Sequence, residues 1–133
     1  MNKFSNKILE SVKFGKYDIP DSRIVYKDSD FFIIFDEYPV SPGHILIITN
    51  GLEETYFDLS DSKKSKLSKL LDYAKEIIES KYSPDGYNIG MNCGTSAGQT
   101  VMQFHCHLIP RYSGDVENPR GGVRHSVMGK GYY

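Results

Sequence analysis

Apolar and polar positions alternate along this chain with two different periods, and the change of period divides it into elements. Arg23 to Asp36 carries two short β-branched and aromatic runs, Arg-Ile-Val-Tyr and Phe-Phe-Ile-Ile-Phe, separated by the polar Lys27 to Asp30. That arrangement predicts a β-hairpin. Pro39, Pro42 and Gly43 make a turn-rich connection to a compact apolar run from His44 to Thr49, the mark of a buried strand. From Ser60 or Asp61 to about Lys81 the period becomes helical. Leu67, Leu70, Leu71, Ala74, Ile77 and Ile78 recur at three- and four-residue spacing among lysines and carboxylates. Ser60 is the expected N-cap, and Ser83-Pro84-Asp85-Gly86 supplies stop chemistry.

Tyr87 to Asn92 reads as a further strand and Thr100 or Val101 to Ile109 as another, joined by the glycine-bearing loop from Cys93 to Gln99. Strands following one another through short turns, with one long helix, predict an α+β fold: an antiparallel sheet of about five strands with the helix on one face. The length of 133 residues suits one domain, with a Gly/Arg/Tyr-rich C-terminal tail from about residue 113 that could need another surface to order it.

Composition narrows the function. Sixteen basic against seventeen acidic residues give a net charge of -1, without the cationic field that polymeric nucleic acid requires. Arg111, Arg120 and Arg124 remain a possible local anion cluster. Two cysteines, Cys93 and Cys106, provide neither a disulfide framework nor a CxxC motif. The N-terminal residues lack the apolar run of a secretion signal, and no stretch reaches the roughly 20 apolar residues of a membrane span. A cytoplasmic protein with no membrane partner is expected.

The chemistry concentrates at Gln103-Phe104-His105-Cys106-His107-Leu108. In a strand, Gln103, His105 and His107 would share one face at roughly 6.5–7 Å spacing, while Phe104, Cys106 and Leu108 pack beneath the helix. Upstream, Gly94 and Gly98 with Thr95, Ser96 and Thr100 can bring backbone N–H groups close to an anion. Two imidazoles at HxH spacing also suit a metal, but no cysteine or carboxylate at ligand spacing completes a set nearby, and no metal or other cofactor is expected.

Gly98 to Arg111 resembles the signature of the histidine triad (HIT) superfamily, and the Pro42-Gly43-His44 strand, Phe35-Asp36 and Asn88 to Gly94 resemble its other segments. The similarity runs from about Phe14 to Asp115. It implies a nucleotide-binding fold acting on phosphoanhydride, phosphoester or phosphoramidate bonds at a nucleoside α-phosphate. His105 matches the family nucleophile, which forms a nucleotidyl-histidine that water cleaves to release a nucleoside monophosphate. By the same resemblance His107 is the last triad histidine, and His44 is a histidine that orients the triad. The partner that fixes the nucleophile's free nitrogen would be a backbone carbonyl or another imidazole. Asp36 would accept hydrogen bonds from the ribose hydroxyls, while Asn92, Gln99, Thr100 and Val101 match positions at the phosphate and departing group. The base would rest near Phe14, Ile24 and Ile34, although plain core is the simpler expectation for those three.

The departure is Gln103, which stands where the family has its first triad histidine and cannot titrate near neutral pH. The implied partner is a nucleotide, an adenine nucleotide first, with dinucleoside polyphosphates and nucleoside phosphoramidates as the substrate classes. A homodimer is the family's habit. The family's zinc-binding variants carry cysteines near the N-terminus, whereas Ser11 to Phe14 has none. The alternatives are a non-catalytic purine-nucleotide-binding regulatory module, suggested by Gln103, and a two-histidine metal protein.

Overall fold

The computed structural model describes residues 12–133. The expectations for the N-terminal stretch and for Ser11 concern residues outside that range. The sheet has five antiparallel strands: β3 (Ile24–Lys27), β4 (Phe31–Phe35), β5 (Ile45–Thr49), β6 (Gly86–Gly90) and β7 (His105–Arg111). Their spatial order is β3-β4-β5-β7-β6. The helix α1 (Asp61–Glu79) lies on one face. The expected α+β architecture is the one observed.

The predicted hairpin is β3-β4. Asp28 builds its turn, with Oδ1 accepting the N–H groups of Asp30 at 2.7 Å and Phe31 at 2.8 Å. Helix α1 begins where Ser60 accepts the N–H of Lys63 at 3.2 Å, satisfying one of the donors a helix start leaves unpaired. Its apolar stripe, Leu67, Leu70, Ala74 and Ile78, packs on Phe31, Ile33, Ile45, Ile47, Phe104, Cys106 and Leu108. Pleating sends the alternate residues Phe32, Ile34, Leu46 and Ile48 to the other face.

That second face is roofed by a hairpin which the sequence reading did not predict. β1 (Val12–Phe14) and β2 (Tyr17–Ile19) pair antiparallel around the two-residue turn Gly15-Lys16. Val12 and Ile19 are buried against Phe32, Ile34, Leu46 and Ile48, with Phe14 and Ile24 packed at the margin. The core reading of Phe14, Ile24 and Ile34 therefore describes where they sit.

β7 is shorter than predicted, starting at His105 rather than at Thr100 or Val101. β5 ends at Thr49, and the chain then turns away through Asn50 and Gly51. Thr49 still donates to the Phe104 carbonyl, but Phe104 N–H is drawn to the carbonyl of Glu53 at 2.8 Å, so the ladder cannot continue. The tail folds back on its own chain, forming a 3-10 turn over Gly122–Ser126 beside β6. The Arg120 and Arg124 guanidiniums stack on the Tyr133 ring. Among the described residues no helix is long and apolar enough to cross a membrane.

Candidate active site

The antiparallel register sets His105 opposite Ile48 and His107 opposite Leu46, so both imidazoles stand on the face away from α1. Residues of β7 are alternately half-buried and buried, as the sequence alternation requires. Cys106, on the other face, is fully buried, and burial pushes its thiol up to about 12. It is a small core side chain rather than a reactive one.

Hydrogen-bond partners assign the protons on the three histidines. His105 Nδ1 lies 2.9 Å from the Gln103 carbonyl oxygen, which can only accept, so Nδ1 carries the proton and Nε2 keeps its lone pair. His44 is buried, and its Nδ1 accepts the Val40 N–H at 3.2 Å. The neutral His44 ring therefore carries its proton on Nε2, which donates to His107 Nδ1 at 2.9 Å. His107 in turn presents an Nε2–H. Of the two partners expected for the nucleophile, the backbone carbonyl is the one found, and the imidazole pairing falls between His44 and His107.

Electrostatics keep this pair neutral. Burial, then the neighbouring His105 and His44, push His107 down to about 4, against an opposing pull from the Asp36 carboxylate. Burial likewise lowers His44, again opposed by Asp36, whose Oδ2 is 3.5 Å from His44 Nε2. The other Asp36 oxygen accepts the Tyr38 N–H at 2.9 Å. Asp36, His44 and His107 bring ligand atoms within 4.8 Å of one another. This donor set does not fit a metal well, because the His44 nitrogen that faces it must hold a proton while Nδ1 accepts from Val40.

The remaining predicted residues fall into two groups. Asn92 and Thr100 are exposed, and Val101 is half-buried. Gln99 is buried, with Oε1 accepting the Gly94 N–H at 2.8 Å and Nε2 donating to the carbonyls of Glu54 at 2.6 Å and Val101 at 3.1 Å. Its amide holds the glycine loop in shape. The N–H groups of Ala97, Gly98 and Gln99 close turns within that loop as well.

Gln103 requires a correction. With β7 starting at His105, Gln103 does not extend the imidazole row as a third strand residue. Its side chain instead bonds the β1-β2 hairpin and the end of β5, through Lys13, Gly15 and Thr49. The hairpin also brings the Phe14 ring edge-on to His105, with centroids 4.8 Å apart. Sequence reasoning missed this arrangement. The available signal was the alternation of Val12 to Ile19 around Gly15-Lys16, with Gly15 at φ +63° as a tight two-residue turn demands.

An antiparallel sheet with a helix behind it thus carries two imidazoles in front, one with a free nitrogen and one tied to a buried third histidine. The chain matches the HIT domain over residues 19–114 and belongs to that family. It is 35% identical over 100 residues to an uncharacterized HIT-like protein of Methanocaldococcus jannaschii, covering 75% of this chain and 76% of that one. It is 30% identical over 94 residues to an AP-4-A phosphorylase of Mycobacterium tuberculosis, covering 70% of this chain but only 48% of the other. The chain thus spans about half the length of that relative. The crystal structure of a Plasmodium falciparum diadenosine triphosphate hydrolase in complex with Cyclomarin A superposes with a TM-score of 0.74 at 28% identity, over 82% of this chain and 74% of that one.

Proposed function

We propose that the protein is a nucleotide-phosphate hydrolase or nucleotidyl transferase whose nucleophile is Nε2 of His105. The observation that carries this reading is the hydrogen bond from His105 Nδ1 to the Gln103 carbonyl, which leaves the Nε2 lone pair available for attack. Nε2 attacks the α-phosphorus, forming a P–N bond as the P–O or P–N bond to the departing group breaks. Water then attacks the nucleotidyl-histidine, the P–N bond breaks, and a nucleoside monophosphate leaves. His107 Nε2–H, held in place by the proton of His44, donates to phosphate oxygen or to the departing group. Asp36 keeps acceptor capacity beyond its bond to Tyr38, which suits ribose hydroxyls. In this reading Asn92, Thr100 and the backbone of Val101 contact the phosphate and the departing group.

The names of relatives support dinucleoside polyphosphates as the first substrate class to try. They include the AP-4-A phosphorylase and a bis(5'-adenosyl)-triphosphatase of Dictyostelium discoideum, 30% identical over 105 residues, 79% of this chain and 70% of that one. The test is phosphorus NMR of product release from a dinucleoside polyphosphate and from adenosine phosphoramidate, for wild type and His105→Ala. AMP release by wild type alone supports the reading. AMP binding without turnover would replace it with the regulatory nucleotide-binding module. A homodimer is part of the proposal. β6 is an edge strand whose Ile89 is 49% exposed, a surface suited to a second copy. Sedimentation as a monomer at micromolar concentration would contradict it.

A further inference from the structure

Every hydrogen-bonding direction of the Gln103 side-chain amide except one lone pair is occupied by backbone. Nε2 donates to the carbonyls of Lys13 at 2.8 Å and Thr49 at 2.9 Å, and Oε1 accepts the Gly15 N–H at 2.9 Å. Lys13 and Gly15 flank Phe14, so one amide grips the chain on both sides of the residue whose ring stands against His105. The third bond anchors that grip to the end of β5. Through its own carbonyl, the same residue holds Nδ1–H of the nucleophile.

A flipped amide would turn its oxygen toward two carbonyl oxygens, so the partners dictate the orientation. A neutral imidazole at this position offers one donor and one acceptor and could not serve all three backbone groups. A carboxylate would lose both donors. Glutamine is the residue whose inventory fits the hairpin.

We propose that Gln103 is a positioning residue for His105: its side chain clamps the β1-β2 hairpin so that Phe14 walls the nucleophile. Glutamine at the position of the triad's first histidine thus takes a structural role in the hairpin. This inference rests on the hydrolase reading for its kinetic consequence, but its structural part is measurable without any turnover.

The experiment uses the full chain with Gln103→Met, which keeps side-chain length and removes all three bonds, together with Phe14→Leu and the double variant. Gln103→His serves as a second probe, retaining a side chain that can hydrogen-bond. Amide exchange by NMR should show the Gly15 N–H losing protection about tenfold or more in Gln103→Met and by a smaller factor in Gln103→His. The nitrogen-15 signature of a protonated His105 Nδ1 should persist in both, because it depends on the backbone carbonyl. If AMP is released, kcat/KM should fall about tenfold in Gln103→Met and in Phe14→Leu, and the double variant should be no worse than either single. Unchanged Gly15 exchange in both Gln103 variants overturns the clamp, and additive kinetic losses overturn its action through Phe14. If wild type releases no AMP while Gly15 loses protection as expected, the hydrolase reading fails and the clamp stands.

Discussion

His107 should make this protein lose stability in mildly acidic solution, beginning above the range where carboxylates titrate. Its ring is half-buried, accepts a hydrogen bond from His44 on Nδ1, and sits near His105 and His44, with Asp36 as the single carboxylate acting on it. Its folded pKa is pushed from 6.5 down to about 4. A group depressed in the folded state contributes stability that is fully present above the unfolded value and is lost as pH falls toward the folded one. At about 1.4 kcal/mol for each unit of pKa, the loss is about 2–3 kcal/mol between pH 6.5 and 4.5. His44, lowered by burial, acts in the same direction. The lowered carboxylates Asp28 and Glu53, whose ordinary values are 3.8 and 4.5, exert their effect mainly below this window. Urea unfolding at half-unit steps from pH 7.5 to 4.5 measures the slope, and His107→Asn removes the titrating ring while keeping an acceptor for His44. The variant should lose at least 1 kcal/mol less than wild type across the window, on the order of half the His107 contribution. Equal slopes for the two proteins would refute the neutral, hydrogen-bonded pair.

Three further outcomes follow from the packing. Leu70→Ala, under the helix stripe, should cost about 2–5 kcal/mol in urea unfolding with an unchanged denaturant slope. Cys106 should resist an aromatic disulfide reagent at pH 7.5 while half-buried Cys93 reacts; both should react in denaturant. Gly43→Ala should destabilise by more than about 1 kcal/mol, because φ is +90° and a Cβ would stand 3.0 Å from the Tyr82 ring. It should also slow AMP release, since the same turn delivers His44.

Much of this architecture is readable in the sequence. The helix followed from the spacing of Leu67, Leu70, Ala74 and Ile78, the β3-β4 hairpin from two apolar runs around Asp28, and the two faces of β7 from strict alternation after His105. Each is a local pattern with a fixed period. Longer-range events were not readable. Gln103 left the strand because β5 turns away at Asn50 and Phe104 pairs with Glu53 instead, a competition between segments about fifty residues apart. The β1-β2 hairpin is only three residues per strand, too short for periodicity to stand out, and its place over Ile34 and Ile48 depends on tertiary burial. The protonation pattern of the histidines likewise arises where His44, just ahead of β5, meets β7. A sequence motif could place His44 near the site but not pair it with His107.

The proposed chemistry requires Nε2 of His105 to form a bond to phosphorus. The most direct measurement is peptide mass mapping after mixing the protein with adenosine phosphoramidate or a dinucleoside polyphosphate and quenching under alkaline conditions, where a phosphoramidate bond survives. An acid-labile adenylyl group should appear on the peptide containing His105 and be absent from His105→Ala. AMP release by wild type with no adduct on that peptide, and undiminished release by His105→Ala, would contradict it.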